Sequence, residues 1–444
     1  MTTTEALKKR LQNVQIAWVS SKATDAAPLR HVGADLEVVS LIGSGKDLGP
    51  EVGAFSFEER AGRRVDYDRF GWDQLSTEES AAIVAHVSEL ARARQVLIVP
   101  FAASQFFSNL SLSVENVHIA GNFFHLERAF NYKPWVEYEL RKIGVPVVEW
   151  DNYTSGIELS NEIRGHSWLT RRSESSGGLG MLHSRSISEL EKTLVYGAAT
   201  DILSVAEFLD DALPLNITAC VFPTGEVTVH PISIQIIGPA VCTNREFGYC
   251  GNDFGMASTV LSAEDLDEVE RITISVGAWL HKFNYLGAFG IDFLKVGNAM
   301  LVSELNARFQ ASSHLGARLM QDIGHSDAYT DHIAAHLSII PDEVRPSLRE
   351  ITTTTGQLAQ IFCYFAPPNK SADDALPGVD PAPQVELGYT ELLPKSEKID
   401  DHALLFRMVS ESVVLDATGK LIKDWEVRVG LQKEKVLRGL GASQ

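Results

Sequence analysis

Long apolar runs, cysteine motifs and an excess of positive charge are all missing from this 444-residue sequence. No run of about 18 apolar residues occurs and the N-terminal residues hold no apolar core, so we expect no membrane span, no secretion signal and a cytoplasmic location. The four cysteines lack C-x-x-C spacing, which argues against a zinc site and a disulfide framework. A formal charge of -19 argues against nucleic acid or an anionic membrane as a partner.

The first part of the chain alternates short apolar runs with a periodic helical segment. Residues 14–20, 36–42 and 95–101 are typical of buried strands, and residues 77–94 have the spacing of an amphipathic helix. Strands that alternate with helices predict a parallel α/β layer. Residues 43–46 read GSGK, but the spacing around this lysine does not match a P-loop.

The most informative stretch lies between residues 287 and 313, where two apolar runs flank a Gly-Asn turn at 297–298 and predict a β-hairpin. Asp292 interrupts the first run, and hairpin pairing brings it beside the end of the second run. Three polar residues at that end share one face, because strand side chains alternate: Glu304, Asn306 and Arg308.

Oxygen ligands gathered on a sheet suit Mg²⁺, which takes few protein oxygens and completes its shell with water and nucleotide phosphates. Such a site is typical of phosphoryl transfer. The alternative is a polar rim of the hairpin, with its carboxylates in water. The apolar residues around Asp292 argue against that alternative, because a buried carboxylate needs a cation or hydrogen-bond donors.

The hairpin carries a resemblance to a known family. The resemblance is to the metal-binding hairpin of the ATP-grasp superfamily, and two segments carry it: GIDF at 290–293 and ELNARFQ at 304–310. The resemblance implies that Arg308 is the catalytic residue that stabilises the anionic intermediate. It also implies ATP as cofactor, with Mg²⁺, or alternatively Mn²⁺, held on its phosphates by three ligands: Asp292, Glu304 and Asn306.

Two upstream segments resemble further parts of the same family. Lys133 opens a helical segment that is followed by a Gly-x-Pro sequence at 144–146, as at the start of the ATP-grasp lid, which implies that Lys133 reaches the phosphates. Without the other motifs, a surface lysine at a helix start would be an equally good interpretation.

The Gly-rich stretch at 173–180 follows a predicted strand at 168–172 and resembles the loop that closes over the triphosphate. Glycines admit positive φ and let backbone N–H groups converge on an anion. The resemblance implies phosphate contacts from Arg171, where the family has lysine, and leaves open whether Arg171 or Arg172 points inward. It implies three contacts from the loop itself, which could otherwise be a plain linker: Ser176, Gly177 and Gly178.

The segment 201–210 resembles the strand that leaves the lid. The resemblance implies adenine contacts at Glu207, Phe208 and Leu209. Residues 216–230 are expected to form a core hairpin. The ribose contact stays open, with Asp210 or Asp211 as candidates.

Residues 233–254 are expected to form a long Gly-rich loop region, where substrate-binding groups are commonly found. Arg245 could bind a carboxylate and Asn252 could donate to one, although Arg245 could equally be a solvated loop cation. We expect His314 to be a capping or core residue rather than a catalyst.

The predicted fold class is α/β and α+β: an ATP-grasp fold with an α/β pre-grasp domain in front and a small α+β domain behind. The C-terminal part is expected to open with a Thr-rich strand near 351–355 and to close with strands at 404–415 and 425–429. The predicted divisions are a pre-grasp domain, a lid, a core with the hairpin and a C-terminal appendage: residues 1–125, 126–205, 206–345 and 346–444.

The resemblance implies an ATP-dependent ligase that joins a carboxylate to an amine through an acylphosphate and releases ADP and phosphate. The layout is similar to that of peptide ligases of antibiotic biosynthesis, such as the pheganomycin ligase, which implies amino acids or short peptides as substrates. Alternatives are a carboxylase-type or nucleotide-precursor enzyme, or an ATP-binding regulatory protein without turnover. Small-molecule carboxylates and amines or peptides are the expected partners, without nucleic acid or membrane, and a homodimer is an open option.

Overall fold

The computed structural model describes residues 2–42, 48–61, 72–154, 165–174, 177–196, 202–340, 344–365, 384–387 and 403–439. The GSGK segment, Ser176 and the proline-rich stretch beyond residue 365 lie outside these residues.

A parallel sheet occupies the first part of the chain, as predicted. Its strands are β1 (Val14–Lys22), β2 (Asp35–Ile42), β3 (Gly53–Ser56), β4 (Gln95–Pro100) and β5 (Val117–Ile119). They lie side by side in the order β3-β2-β1-β4-β5, and every pair is parallel. The helices of this part are α1 (Thr3–Arg10), α2 (Phe57–Ala61), α3 (Thr77–Ala93) and α4 (Gln105–Ser113), with 3-10 helices at Ala23–Val32 and Trp72–Gln74.

Two helices lead from this sheet to a small antiparallel sheet, the lid. The helices are α5 (Phe124–Phe130) and α6 (Lys133–Lys142). The lid consists of β6 (Asp151–Thr154), β7 (Trp168–Arg172), β8 (Leu182–Ser184), α7 (Ile187–Tyr196) and β9 (Ile202–Glu207). Its strands have the order β6-β9-β7-β8.

A large antiparallel sheet forms the core of the rest of the molecule. Its strands are β10 (Leu213–Val221), β11 (Val227–Ile237), β12 (Tyr249–Asp253), β13 (Gly287–Val296), β14 (Ala299–Asn306), β15 (Ala359–Tyr364), β16 (Gln384–Leu387) and β17 (Leu404–Ser410). They have the order β14-β13-β10-β11-β12-β15-β17-β16. The strands after residue 345 therefore continue the sheet that contains the β13–β14 hairpin, and do not form a separate sheet.

Helices cover this sheet and complete its core. They are α8 (Ala257–Val260), α9 (Ala263–His281), α10 (Ser313–Asp322), α11 (Ala328–His336), α12 (Leu348–Thr354) and α13 (Lys423–Gly439). The largest apolar cluster joins α6, α9 and α13 to the strands of the large sheet, and all four cysteines are buried and free of disulfides. Among the helices of the described ranges, none is long and apolar enough to cross a membrane.

The predicted Thr-rich strand near residue 351 is wrong, because this segment is helix α12. A capping box starts the helix: Ser347 accepts from the backbone N–H of Glu350, whose side chain accepts from the backbone N–H of Ser347. The threonine hydroxyls donate to carbonyls four residues back, as in Thr352 to Leu348 at 2.8 Å, and so satisfy the hydrogen bonds that would otherwise favour a strand.

The predicted strand at 425–429 is also wrong, because it lies inside helix α13. Trp425, Val429 and Val436 are the buried residues of that helix, a spacing of four and seven that matches a helical face. Over residues 425–429 alone, the apolar residues alternate with charged ones, and that short pattern predicts a strand.

The expected loop at 233–254 is largely strand. Strand β11 runs to Ile237 and β12 begins at Tyr249, so only residues 238–248 connect the two. Asn252 consequently lies within a strand of the core sheet rather than on a loop.

Ser347→Ala should lower the free energy of unfolding by about 1 kcal/mol, because it removes the N-cap hydrogen bond of α12. Ser347→Asp keeps a capping oxygen and is the matched control. Urea denaturation followed by circular dichroism measures both, and equal stability of Ser347→Ala and the wild type would contradict the role of this cap.

Candidate active site

The β13–β14 hairpin brings the predicted metal ligands together. The turn residue Gly297 has a φ of 56°, a conformation that glycine adopts without strain. The antiparallel register places Asp292 opposite Glu304 and Gly290 opposite Asn306, and Ser303 is the extra residue of a bulge beside the pair. The two carboxylates therefore project from adjacent strands at one place.

Three amide groups hold the Asp292 carboxylate in place. Asn216 on β10 donates to Oδ1 at 2.7 Å, Gln310 donates to the same oxygen at 3.2 Å, and Asn306 donates to Oδ2 at 3.2 Å. Asn216 is in turn held by the Ser312 hydroxyl, which donates to its Oδ1 at 2.6 Å. The carboxylate is thus oriented by neutral donors, which leave its charge in place.

The two carboxylates repel each other. Burial, and after it the charge of Glu304, raise the pKa of Asp292 to about 6, although Asn216 and Arg308 oppose the shift. A divalent cation between the two groups would relieve this repulsion.

The donor chemistry fits Mg²⁺ or Mn²⁺. Within the described ranges no three His, Cys, Asp or Glu residues form a metal-binding cluster. The available set is two carboxylates and the Asn306 amide, which suits a cation that takes its remaining ligands from phosphate and water.

Lys133 lies directly beside this pair. It is the first residue of α6, and its Nζ is 3.3 Å from Glu304 Oε1 with only 8% of its side chain exposed. A lysine in this position brings positive charge to the place where phosphates would meet the metal.

Arg171 is the inward-pointing arginine of β7, since its neighbour Arg172 is exposed. Its guanidinium lies 3.8 Å from the Trp150 ring centre, donates to the Ser303 carbonyl at 2.9 Å and forms an ion pair with Glu137. Burial lowers the pKa of Arg171 to about 10, so it stays charged at neutral pH. It links the lid to the hairpin bulge.

The described glycines of the predicted phosphate loop have left-handed backbone conformations. Gly177 has a φ of 61° and Gly178 a φ of 77°. A Cβ on Gly178 would overlap the Phe247 carbonyl, so the loop packs closely on the β11–β12 connection. Phosphate contacts from Gly177 and Gly178 stay predictions, and the one from Ser176 concerns a residue outside the described ranges.

The predicted adenine contacts lie where β9 ends. Glu207 is exposed, and the Phe208 ring stacks on His183 with centroids 4.1 Å apart. The Phe208 N–H donates to the Ser167 carbonyl at 3.0 Å, so this backbone donor is used within the lid. Adenine binding by Glu207, Phe208 and Leu209 remains a prediction.

Arg308 lies between the hairpin and the parallel sheet. Its Nη1 donates to the Phe309 carbonyl at 3.0 Å, and its Cζ is 5.7 Å from the ring centre of Phe101, which follows β4. The pKa values of Asp292 and Glu127 are both raised, and the positive charge of Arg308 opposes the rise in each. The N-terminal sheet therefore contributes residues to the surroundings of this arginine.

The two predicted substrate residues occupy different environments. Asn252 is fully buried, donates to the Ser233 hydroxyl at 2.9 Å and accepts from Tyr249, so its amide is engaged within the sheet. Arg245 lies in the 238–248 connection, whose Phe247 carbonyl packs against Gly178. Substrate binding by either residue stays a prediction.

Three residues near Asp292 or Arg308 were missed by the sequence analysis. Asn216 meets Asp292 only through the β10–β13 pairing, and nothing in the sequence distinguishes Glu127 from a solvated helix residue. Gln310 belongs to the ELNARFQ motif, and its spacing from Asn306 was the only available signal.

The Glu127 carboxyl is buried and accepts from the Ala103 N–H through both oxygens, at 3.0 and 2.9 Å. Burial raises its pKa from 4.5 to about 8, against opposing effects of Ala103 and Arg308. Because the folded pKa exceeds the unfolded one, the contribution of Glu127 to stability is fully present below about pH 4.5 and is lost as the pH rises to about 8.

Glu127→Gln should flatten this dependence, by up to about 1.4 kcal/mol per pH unit, because glutamine does not titrate. Urea denaturation of both proteins between pH 5 and 8.5 measures the difference. Parallel profiles for the two proteins would show that Glu127 is ionised throughout.

Gly290→Ala should lower the free energy of unfolding by about 1–3 kcal/mol, because the new methyl group would overlap the Gln310 amide and displace it from Asp292. Gly316→Ala is the matched control, since its Cβ would meet no atom closer than 3.7 Å. Thermal unfolding measures both, and equal stability of Gly290→Ala and the wild type would contradict the close packing.

No family model and no curated protein matches the sequence. Solved structures do match in fold. The biotin carboxylase domain of 2-oxoglutarate carboxylase from Hydrogenobacter thermophilus, a dimer in complex with MgADP, ADP and bicarbonate, has a TM-score of 0.57 at 12% identity, covering 89% of this chain and 86% of that one.

Two further structures extend this likeness. Biotin carboxylase from Campylobacter jejuni has a TM-score of 0.58 at 14% identity over 89% of this chain and 87% of that one. N5-carboxyaminoimidazole synthetase from Staphylococcus aureus has a TM-score of 0.55 at 12% identity over 96% and 97%. The finer resemblance to antibiotic peptide ligases stays a prediction, whereas the predicted fold class is confirmed: the chain has the ATP-grasp fold.

Proposed function

We propose that the protein is an ATP-dependent carboxylate–amine ligase. The observation that carries this proposal is the partly buried Asp292–Glu304 pair, with Lys133 at 3.3 Å from Glu304 and three amides on Asp292. Two repelling carboxylates beside a buried lysine are arranged for a metal-bound polyphosphate.

In the first step a substrate carboxylate oxygen bonds to the γ-phosphorus of ATP, and the bond between that phosphorus and ADP breaks. Bound Mg²⁺ would neutralise the phosphate charge. Asp292, Glu304 and Asn306 would hold the metal, and Lys133 would orient the phosphates. Arg171, which is already fixed by Ser303 and Trp150, would support the hairpin beneath them.

In the second step an amine nitrogen bonds to the acyl carbon of the acylphosphate, phosphate leaves, and the nitrogen loses a proton. Arg308 would stabilise the negative charge that develops on the acyl oxygen and the phosphate. The products are an amide or peptide bond, ADP and phosphate.

The Gly-rich loop would exclude water, which otherwise hydrolyses an acylphosphate. Its contact with Phe247 supports this role, since Gly178 already lies against the β11–β12 connection. Gly177 and Gly178 would supply backbone N–H groups to the phosphates, and Ser176 its hydroxyl. Glu207, Phe208 and Leu209 would contact adenine.

Amino acids or short peptides are the substrates that we propose, as in the peptide ligases of antibiotic biosynthesis. The support is the similar layout of pre-grasp section, grasp core and C-terminal section. Carboxylases and carboxyaminoimidazole synthetases share the fold, so bicarbonate belongs among the carboxylates to be tested.

The test is to measure ADP and phosphate release from Mg·ATP with carboxylates and amines supplied singly and in pairs. We expect both products only with a matched pair. AMP as product would reject the acylphosphate route, and ATP binding without turnover on every pair would favour a regulatory nucleotide-binding protein.

Glu304→Gln and Arg308→Ala should each reduce ligation at least about a thousandfold, because the first removes a metal ligand and the second the charge that meets the intermediate. Glu226→Gln, at an exposed turn position, is the matched control. Full turnover by either variant, with a folded circular dichroism spectrum, would refute this mechanism.

A further inference from the structure

The loop that follows β4, residues 101–104, lies against Arg308, and we call it the β4 loop. Its Phe101 carbonyl accepts from the Phe309 N–H at 3.2 Å, and the Phe101 ring centre is 5.7 Å from Arg308 Cζ. The Phe309 carbonyl in turn accepts from Arg308 Nη1 at 3.0 Å. The β4 loop therefore contacts both the backbone beside this arginine and its guanidinium group.

The β4 loop lies where open parallel sheets bind ligands. Strand β4 pairs with β1, and the order β3-β2-β1-β4-β5 runs away from this pair in both directions. In such sheets, ligands bind beyond the carboxyl ends of the strands, at the point where the order reverses. The β4 loop leaves β4 at that end, so a substrate bound there would lie against it.

Hydrogen bonds to neighbouring elements hold the β4 loop at three points. At its start the Phe101 N–H donates to the Val19 carbonyl of β1 at 2.8 Å. At its end the Ser104 hydroxyl caps α4 and accepts from a backbone N–H of that helix at 3.2 Å. Between them the Ala103 N–H donates to the Glu127 carboxyl. In the described part of the chain, this is the hydrogen bond that holds the middle of the loop.

The Glu127 side chain is buried, and both of its oxygens accept from that one N–H, at 3.0 and 2.9 Å. Burial raises the pKa of Glu127 to about 8, so in most molecules this carboxyl is neutral at pH 7. A neutral carboxyl still accepts from an N–H through its carbonyl oxygen. It holds the loop without opposing the positive charge of Arg308.

We infer that Glu127 is a positioning residue for Arg308 and acts through the β4 loop. Its carboxyl fixes Ala103, the loop places the ring and the carbonyl of Phe101, and these hold the arginine in its place. The inference rests on the proposed ligase function. It adds that the N-terminal parallel sheet determines the position of the group that stabilises the intermediate.

The first experiment measures ADP release from MgATP by Glu127→Met, with N-acetyl amino acids and bicarbonate as carboxylates and the proteinogenic amino acids as amines. On the best wild-type pair, kcat should fall at least about tenfold, because methionine offers no oxygen to the Ala103 N–H and Arg308 is misplaced. KM for MgATP should stay within about twofold of the wild type, since its proposed ligands are unchanged. Glu115→Met, at an exposed position before β5, is the matched control.

Glu127→Gln separates the hydrogen bond from the ability to ionise. Its amide oxygen can accept from the Ala103 N–H, so kcat should return to within about threefold of the wild type. A loss as large as that in Glu127→Met would overturn the inference, because it would show that the carboxyl itself is required rather than its hold on the loop.

A double-mutant cycle with Arg308→Lys tests whether Glu127 acts through the arginine. In the Arg308→Lys background, Glu127→Met should lower kcat by less than about a further twofold, because effects that pass through one residue do not add. Losses of equal size in both backgrounds would overturn the inference and indicate a general effect on the fold.

The wild-type enzyme distinguishes the inference from the function on which it rests. Turnover by the wild type with an equal kcat in Glu127→Met would overturn the inference and leave the ligase function standing. No ADP release by the wild type with any pair would overturn the ligase function and the inference with it. If Glu127→Met does not fold, Phe101→Leu decides the question: its kcat should fall, and a wild-type kcat would overturn the inference.

Discussion

The structure of the candidate site depends on two carboxylates that face each other across the β13–β14 pair. Asp292 is partly buried, the charge of Glu304 helps to raise its pKa, and the antiparallel register holds the two residues opposite each other. Such a pair is stable only with compensating donors and cations. The donors are the amides on Asp292, and the cations are the Lys133 ammonium and the arginines nearby.

The cations reach the pair from three different parts of the fold. Lys133 comes from the start of α6, Arg171 from a lid strand and Arg308 from the segment just after the hairpin. Arg171 is buried against Trp150 and Ser303, which makes it a fixed bridge between lid and core. An arginine suits that position because its planar group can stack and donate at once.

The C-terminal strands belong to the large sheet of the candidate site. They extend the sheet that contains the β13–β14 hairpin, so that Gln360 and Arg407 lie on the same sheet as Asp292. The parallel sheet contributes Lys22 to this face. A chain segment that composition alone marks as an appendage thereby contacts Ala311 and His314, which follow Arg308 in the sequence.

The sequence by itself determined the hairpin and the parallel sheet, because turn chemistry and strand alternation are local properties. It also predicted that Asp292, Glu304, Asn306 and Lys133 lie together, as the structure has them. Local pattern failed at Thr352 and Trp425, where helix capping and a longer helical period outweigh strand propensity. Only the tertiary structure decided that Asn216 and Glu127 belong near the site, that Arg171 rather than Arg172 points inward, and that Lys22 and Arg407 both lie near the Phe362 ring. Those residues are far apart in sequence or differ only in which face of a strand they occupy, and strand pairing and sheet packing alone bring them together.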